Sequence, residues 1–123
     1  MGNFNLEFYE TENGECPVED FIELQDIKMQ AKIYKMLELL EERGNSLRMP
    51  YSEHLGDGIF QIRAQVGSNI TRVLYFFFVD EKIILTNGFL KKTQRTPPSE
   101  IVLAKKYRAE YLPGLYKMSD VCS

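Results

Sequence analysis

The chain is poor in the residues that metal centres and cross-links need. It has one histidine, His54, and two cysteines, Cys16 and Cys122, which lie far apart and form no CxxC pair. That set leaves a zinc site almost without ligands, so no metal and no cofactor are expected, and it predicts free thiols in a reducing cytosol. Long apolar runs are also missing. Nothing approaches the roughly 20 residues that cross a bilayer as a helix, and no membrane association is expected. The opening MGNFNLEFYE has no basic segment followed by an apolar one, which argues against a secretory signal. Leu6 stands where a myristoylation site wants Ser or Thr. A cytoplasmic protein is the expectation.

With 123 residues, 44% hydrophobic and 27% charged, the chain suits one globular domain spanning 1–123 that buries its core without staples. The net charge of −3 conceals a division. Residues 1–58 hold 13 acids and 5 bases, whereas residues 59–123 hold 5 acids and 10 bases. Acids are scarcest in residues 59–95, where Asp80 and Glu81 face six bases: Arg63, Arg72, Lys82, Lys91, Lys92 and Arg95. This stretch reads as three strands joined by tight turns. A β-meander with cations on one face suits a phosphate-bearing partner.

The rest of the chain is organised around that meander. Phe4, Leu6 and Phe8 alternate with polar neighbours as in a half-buried strand. Pro17 suits the first position of a short helix ending near Leu24, with Glu19 and Asp20 at its positive end. Asp26 caps a second helix whose stripe of Met29, Ile33, Met36, Leu37 and Leu40 faces the core, and Gly44 ends it. Residues 45–58 read as a long connection carrying His54.

In the first meander strand Phe60, Ile62 and Ala64 oppose Gln61, Arg63 and Gln65. A two-residue turn at Ser68-Asn69 would pair Gln65 with Arg72, Arg63 with Leu74, and Phe60 with Phe77. That register leaves one face apolar and gathers Arg63, Gln65 and Arg72 on the other. After the strand at residues 83–90, either Lys91 or Lys92 joins that face. Thr96-Pro97-Pro98 opens a last helix that Pro113-Gly114 should stop, leaving 113–123 as a loose tail. The fold class is α+β in the order β-α-α-β-β-β-α: a small antiparallel sheet with two N-terminal helices on one face and a C-terminal helix.

The strings DGIFQIR, RVLYFF and NGFLKKTQRTP, in that order and followed by a helix, resemble the RelE/ParE superfamily of bacterial toxins, and within it the HigB branch related to phage Gp49-like proteins. The resemblance implies a RelE-like fold and the toxin of a type II toxin–antitoxin system. Such a toxin is a ribosome-dependent, metal-independent mRNA endoribonuclease, held in check by a helix-turn-helix, HigA-like antitoxin. The toxin–antitoxin complex would form a higher-order assembly through antitoxin dimers. Carried over by position, the catalytic residues are Arg63, Arg72, Lys91 and Lys92. Gln61, Gln65, Phe76 and Arg95 would bind RNA, and His54 is a further candidate base. Gln61 stands where many relatives have Glu, and Glu53 where Lys is common. The alternatives are a ParE-like inhibitor of DNA gyrase that cuts nothing, or a non-catalytic partner-binding remnant.

The chemistry fits those residue types. Cutting RNA needs a base for the 2′-hydroxyl, an acid for the leaving 5′-oxygen, and charge for the pentacoordinate phosphate. Arginine grips two phosphate oxygens with a planar fork, and a lysine crowded by cations gives up its proton more readily. Phe76, sharing a face with Arg72, would stack a base. The acidic first half is expected to meet the antitoxin through the N-terminal helices or their edges.

Overall fold

Pro17 and Asp26 start the first two helices in the computed structural model, which describes residues 4–92 and 94–122, residues 113–122 by backbone alone. The expectations for the first three residues and for the Cys122 thiol lie outside that description. After strand β1 (Asn5–Phe8), helix α1 (Pro17–Glu23) has Pro17 in its first turn, where a missing amide costs no hydrogen bond. Helix α2 (Ile27–Arg43) is capped by Asp26, whose carboxylate accepts from the Met29 amide at 2.8 Å. A 3₁₀ turn (Gly44–Ser46) follows. Strands β2 (Ser52–Gly56), β3 (Ile59–Val66), β4 (Asn69–Phe78) and β5 (Lys82–Leu90) then lead to helix α3 (Pro98–Cys122).

The sheet runs β1-β5-β4-β3-β2. The three pairings among β2 to β5 are antiparallel, but β1 lies parallel to β5, so the sheet is mixed rather than antiparallel throughout. Its inner face (Ile62, Ala64, Val73, Tyr75, Ile83 and Leu85) packs on the α1–α2 layer, including the predicted stripe of α2. On the outer face Ile59, Leu74, Phe76, Ile84 and Phe89 pack with Ala104 of α3, flanked by Tyr107 and Tyr111.

Four expectations are corrected. Residues 45–58 are not one loop, because β2 pairs Ser52 with Ile62, Glu53 with Gln61 and His54 with Phe60. The hairpin from β3 to β4 turns at Gly67-Ser68, pairing Val66 with Asn69. Gly67 takes φ +60°, the left-handed value that a two-residue hairpin with glycine first requires. The register is therefore two residues from the expected one: Arg63 opposes Arg72, Ile62 opposes Val73, and Phe60 opposes Tyr75. A slip of two preserves the faces, so Arg63 and Arg72 still share the outer one. The fourth correction concerns α3, which continues past Pro113-Gly114 to Cys122. A proline withholds one amide and bends a helix, but bonds on either side can carry the helix on.

A bulge and a buried hydrogen bond position the outer face. Between Leu74 and Tyr75 the β4–β5 register shifts, leaving Thr86 as the extra residue, its hydroxyl donating to the Leu74 carbonyl at 3.2 Å. Beyond this bulge Arg72 pairs with Phe89, and the Lys91 amide extends the ladder to the Ile70 carbonyl at 2.8 Å. Without the extra residue Arg72 would oppose Gly88 and the alternation would favour Lys92. On β2, buried Ser52 hydrogen-bonds the Tyr75 hydroxyl within the inner core. Burial pushes the Tyr75 phenol up to about 12, so it stays neutral. With Ser52 turned inward, Glu53 projects from the outer face.

Gly44 ends α2 with φ +52°, and a Cβ placed there would overlap the Phe4 ring. The close approach lets the Phe4 amide donate to the Glu41 carbonyl at 3.2 Å, seating β1 on the end of α2. Gly44→Ala is expected to destabilise the fold by about 2–4 kcal/mol through strain and overpacking. In urea this lowers the unfolding midpoint with an unchanged slope. An unshifted midpoint would contradict this packing.

Candidate active site

The outer face is covered unevenly. Helix α3 lies over the β4–β5 side. Its start is held by the Asn87 side-chain amide, which donates to the Glu100 carbonyl at 3.2 Å and carboxylate at 3.0 Å. Further along, Lys105 meets the Asp57 carboxylate at 2.6 Å and Arg108 donates to the Asp57 carbonyl at 2.5 Å. These contacts fasten the β2–β3 turn to α3, and the Lys105 ammonium holds the Asp57 carboxyl below its usual range.

Beside this covered region lies a cavity of about 210 Å³, lined by Tyr51, Glu53, Gln61, Arg63, Arg72 and Lys91, with Met49, Pro50 and Ser52 completing its wall. Arg63 and Arg72 are direct cross-strand partners, a placement that like charges resist. The compensation comes from β2: an Arg72 Nη1 atom lies 3.7 Å from Glu53 Oε1. Glu53 is itself held, because Gln61 donates to Oε1 at 3.0 Å and Thr96 donates to Gln61 Oε1 at 2.6 Å. A relay from the segment leading into α3 thus fixes the carboxylate. Arg63 donates to Gln65 Oε1 at 2.7 Å, and Gln65 donates to the Gly67 carbonyl at 3.0 Å.

The electrostatics favour an anion. Arg72 is 8% exposed, and burial pulls its pKa down, with Glu53 opposing that shift and Arg63 adding to it. An arginine starts so high that it keeps its proton at neutral pH. Lys91 is likewise lowered, by desolvation and then by the charges of Arg72 and Arg63. Among the described residues, the Nε atoms of both arginines are buried without a hydrogen-bond partner. Two partly desolvated guanidinium groups and an ammonium surround a space open to solvent.

The other sequence candidates lie as follows. Of the two lysines left open, Lys91 lines the cavity, while Lys92 is exposed outside it. Gln61 is 2% exposed and spends both ends of its amide within the protein, so it positions Glu53. Gln65 braces Arg63. Arg95 is exposed and borders an adjoining hollow of about 280 Å³ with Gln94, Thr96, Glu53 and Arg72. His54 also borders that hollow. Its ring lies tilted against Phe60 with centroids 4.6 Å apart, however, and its Nε2 accepts from the Gly58 amide at 3.2 Å.

Phe76 requires a correction. It does share the face of Arg72, but it is 3% exposed beneath α3 and sits edge-on to Tyr111, so its ring is not open to a base. Sequence reasoning passed over Glu53 and Tyr51, which line the cavity, and Thr96, which braces Gln61. The Asp57-Gly58 pair between two extended runs was a hairpin signal that would have placed Glu53 on a strand beside β3, although the bulge between His54 and Gly56 is what sets it opposite Gln61. Among the described residues, no three of His, Cys, Asp and Glu gather as metal ligands, and no helix is long and apolar enough to cross a membrane.

Fold and cleft together define the class: an α+β domain with two helices behind a mixed five-stranded sheet and a cationic hollow on its other face, beside the C-terminal helix. The chain belongs to the family described as Phage derived protein Gp49-like (DUF891), whose model matches residues 20–109. The match runs from α1 into α3 and includes every residue lining the cavity. No curated protein matches the chain.

Proposed function

We propose that this protein is the toxin of a type II toxin–antitoxin pair, a ribosome-dependent endoribonuclease that cuts messenger RNA without a metal. The observation that carries this reading is the cross-strand pair Arg63–Arg72, with Lys91 and Glu53 on the same cavity wall. Membership of the Gp49-like family accords with it.

The scissile phosphate sits against the two guanidinium groups, whose forks match its oxygens and gain strength as charge builds up in the transition state. The Glu53 carboxylate takes the proton of the 2′-hydroxyl. The 2′-oxygen then bonds to phosphorus, the bond from phosphorus to the 5′-oxygen breaks, and the Lys91 ammonium protonates the departing oxygen. The products are a 2′,3′-cyclic phosphate and a 5′-hydroxyl. Gln61 and Thr96 hold the base in place. A helix-turn-helix, HigA-like antitoxin restrains the toxin by contacts on α1, α2 or their edges. A complex in which antitoxin carboxylates are inserted between Arg63 and Arg72 would contradict that arrangement.

Mapping transcript ends after induction tests the whole reading. Cuts within translated messages, absent when the neighbouring antitoxin is co-expressed, are the expected result. DNA damage with intact messages would instead point to gyrase.

The role of Lys91 has a pH signature. An acid must be protonated to act, so the cleavage rate should fall as pH rises through the lowered Lys91 pKa. Lys91→Arg, which keeps its proton, should lower the maximum rate and move that alkaline loss to higher pH. Single-turnover cleavage on programmed ribosomes measures both limbs. An identical alkaline limb in the variant would remove Lys91 from the role.

A further inference from the structure

The central cavity is one of three hollows that share walls. It shares Glu53 and Arg72 with the hollow bordered by Gln94 and Arg95. It shares Pro50, Tyr51 and Arg63 with a third hollow of about 420 Å³, which also takes in Lys32, Met36, Gln65 and Gly67. The result is a furrow with the Arg63–Arg72 pair at its middle. Such a shape suits an extended, single-stranded polyanion.

The furrow needs an open ring if bases are to be held. Phe76 is closed off under α3, whereas Tyr51 is 48% exposed on the ridge between the central cavity and the third hollow, next to Met49, which is 70% exposed. The backbone of Tyr51 is fixed at both ends. Its amide donates to the Arg48 carbonyl at 3.0 Å, and its carbonyl accepts from the Arg63 amide at 2.9 Å. A ring on a fixed backbone, adjoining a phosphate-gripping arginine, is a preorganised stacking platform: it has only two side-chain torsions to restrict.

We propose that Tyr51 stacks a base of the RNA next to the scissile phosphate, with that nucleotide seated in the hollow between Pro50, Arg63, Gln65 and Lys32. This rests on the ribonuclease reading and names the subsite that holds the substrate. Aromatic stacking tolerates any base, so the subsite adds affinity with little sequence preference.

The chain contains no tryptophan, so Tyr51→Trp introduces a single reporter at the proposed platform. The probe is a short single-stranded oligonucleotide carrying 2′-O-methyl groups throughout, which cannot be cut. Its addition should quench the Tyr51→Trp emission at an affinity close to that of the parent. Tyr51→Phe should bind like the parent, and Tyr51→Ala about 5- to 150-fold more weakly. Parent-like binding by Tyr51→Ala, absence of quenching, or no binding by the parent overturns the assignment. Failure of the two readings is separable. Tyr51-dependent binding with intact messages in cells removes the nuclease and leaves the platform. Cut messages with undiminished binding by Tyr51→Ala remove the platform alone.

Discussion

Arg72→Ala should abolish message cleavage and growth arrest without weakening the fold. Removing one preorganised group that stabilises transition-state charge lowers turnover by about 10²–10³. The effect here should lie at the upper end, because Arg72 is more deeply buried than the half-buried Arg63 beside it. Stability should move the other way or not at all. Arg72 stands directly opposite a like charge and leaves its Nε buried without a partner, so truncation relieves repulsion as well as removing contacts. The thermal midpoint is therefore expected to hold or rise by a few degrees, as happens when a strained working residue is lost. Arg72→Lys keeps the charge but loses the fork and should fall between the two. Growth arrest by Arg72→Ala at equal expression would show that this guanidinium takes no part in the reaction.

Glu53→Gln should lower the cleavage rate by about 10²–10⁴, the range a positioned base supplies. The substitution is nearly isosteric, and the amide oxygen can still accept from Gln61. What disappears is the proton acceptor. The same change removes the carboxylate that lies 3.7 Å from Arg72, so the cleft becomes more positive and substrate should bind more tightly. The expected signature is a fall in kcat together with an unchanged or lower KM. A counter-ion with no chemical role would give tighter binding at full turnover, and that outcome would exclude Glu53 as the base. Glu53→Asp, with the carboxylate drawn back by one methylene, should recover part of the loss.

Much of this site is legible in the sequence. The helices announced themselves through Pro17, the Asp26 cap and the spacing of Met29, Ile33, Met36, Leu37 and Leu40. The shared face of Arg63 and Arg72 followed from strand alternation, and it survived a wrong register because the slip was even. Other features were hidden for identifiable reasons. The choice between Lys91 and Lys92 turned on one extra residue at Thr86, which no local pattern marks. Strand β2 escaped because Glu53 and His54 are weak strand formers between Pro50 and Gly56; its Asp57-Gly58 turn was the surer sign. The burial of Phe76 depended on where α3 settles, and that is decided by ties such as Asp57 to Lys105 and Asn87 to Glu100, far apart along the chain.

The parallel pairing of β1 with β5 also bears on how the protein comes into being. Asn5–Phe8 leave the ribosome long before their hydrogen-bonding neighbours, Lys82 to Leu85, which belong to the last strand of the sheet to be made. A nascent chain halted before that point holds an unpaired hydrophobic ribbon, and closing so long a loop is slow. Lys91 emerges only a few residues later. Sheet closure and the arrival of the third cation thus fall together in synthesis, and a chain halted before them lacks both.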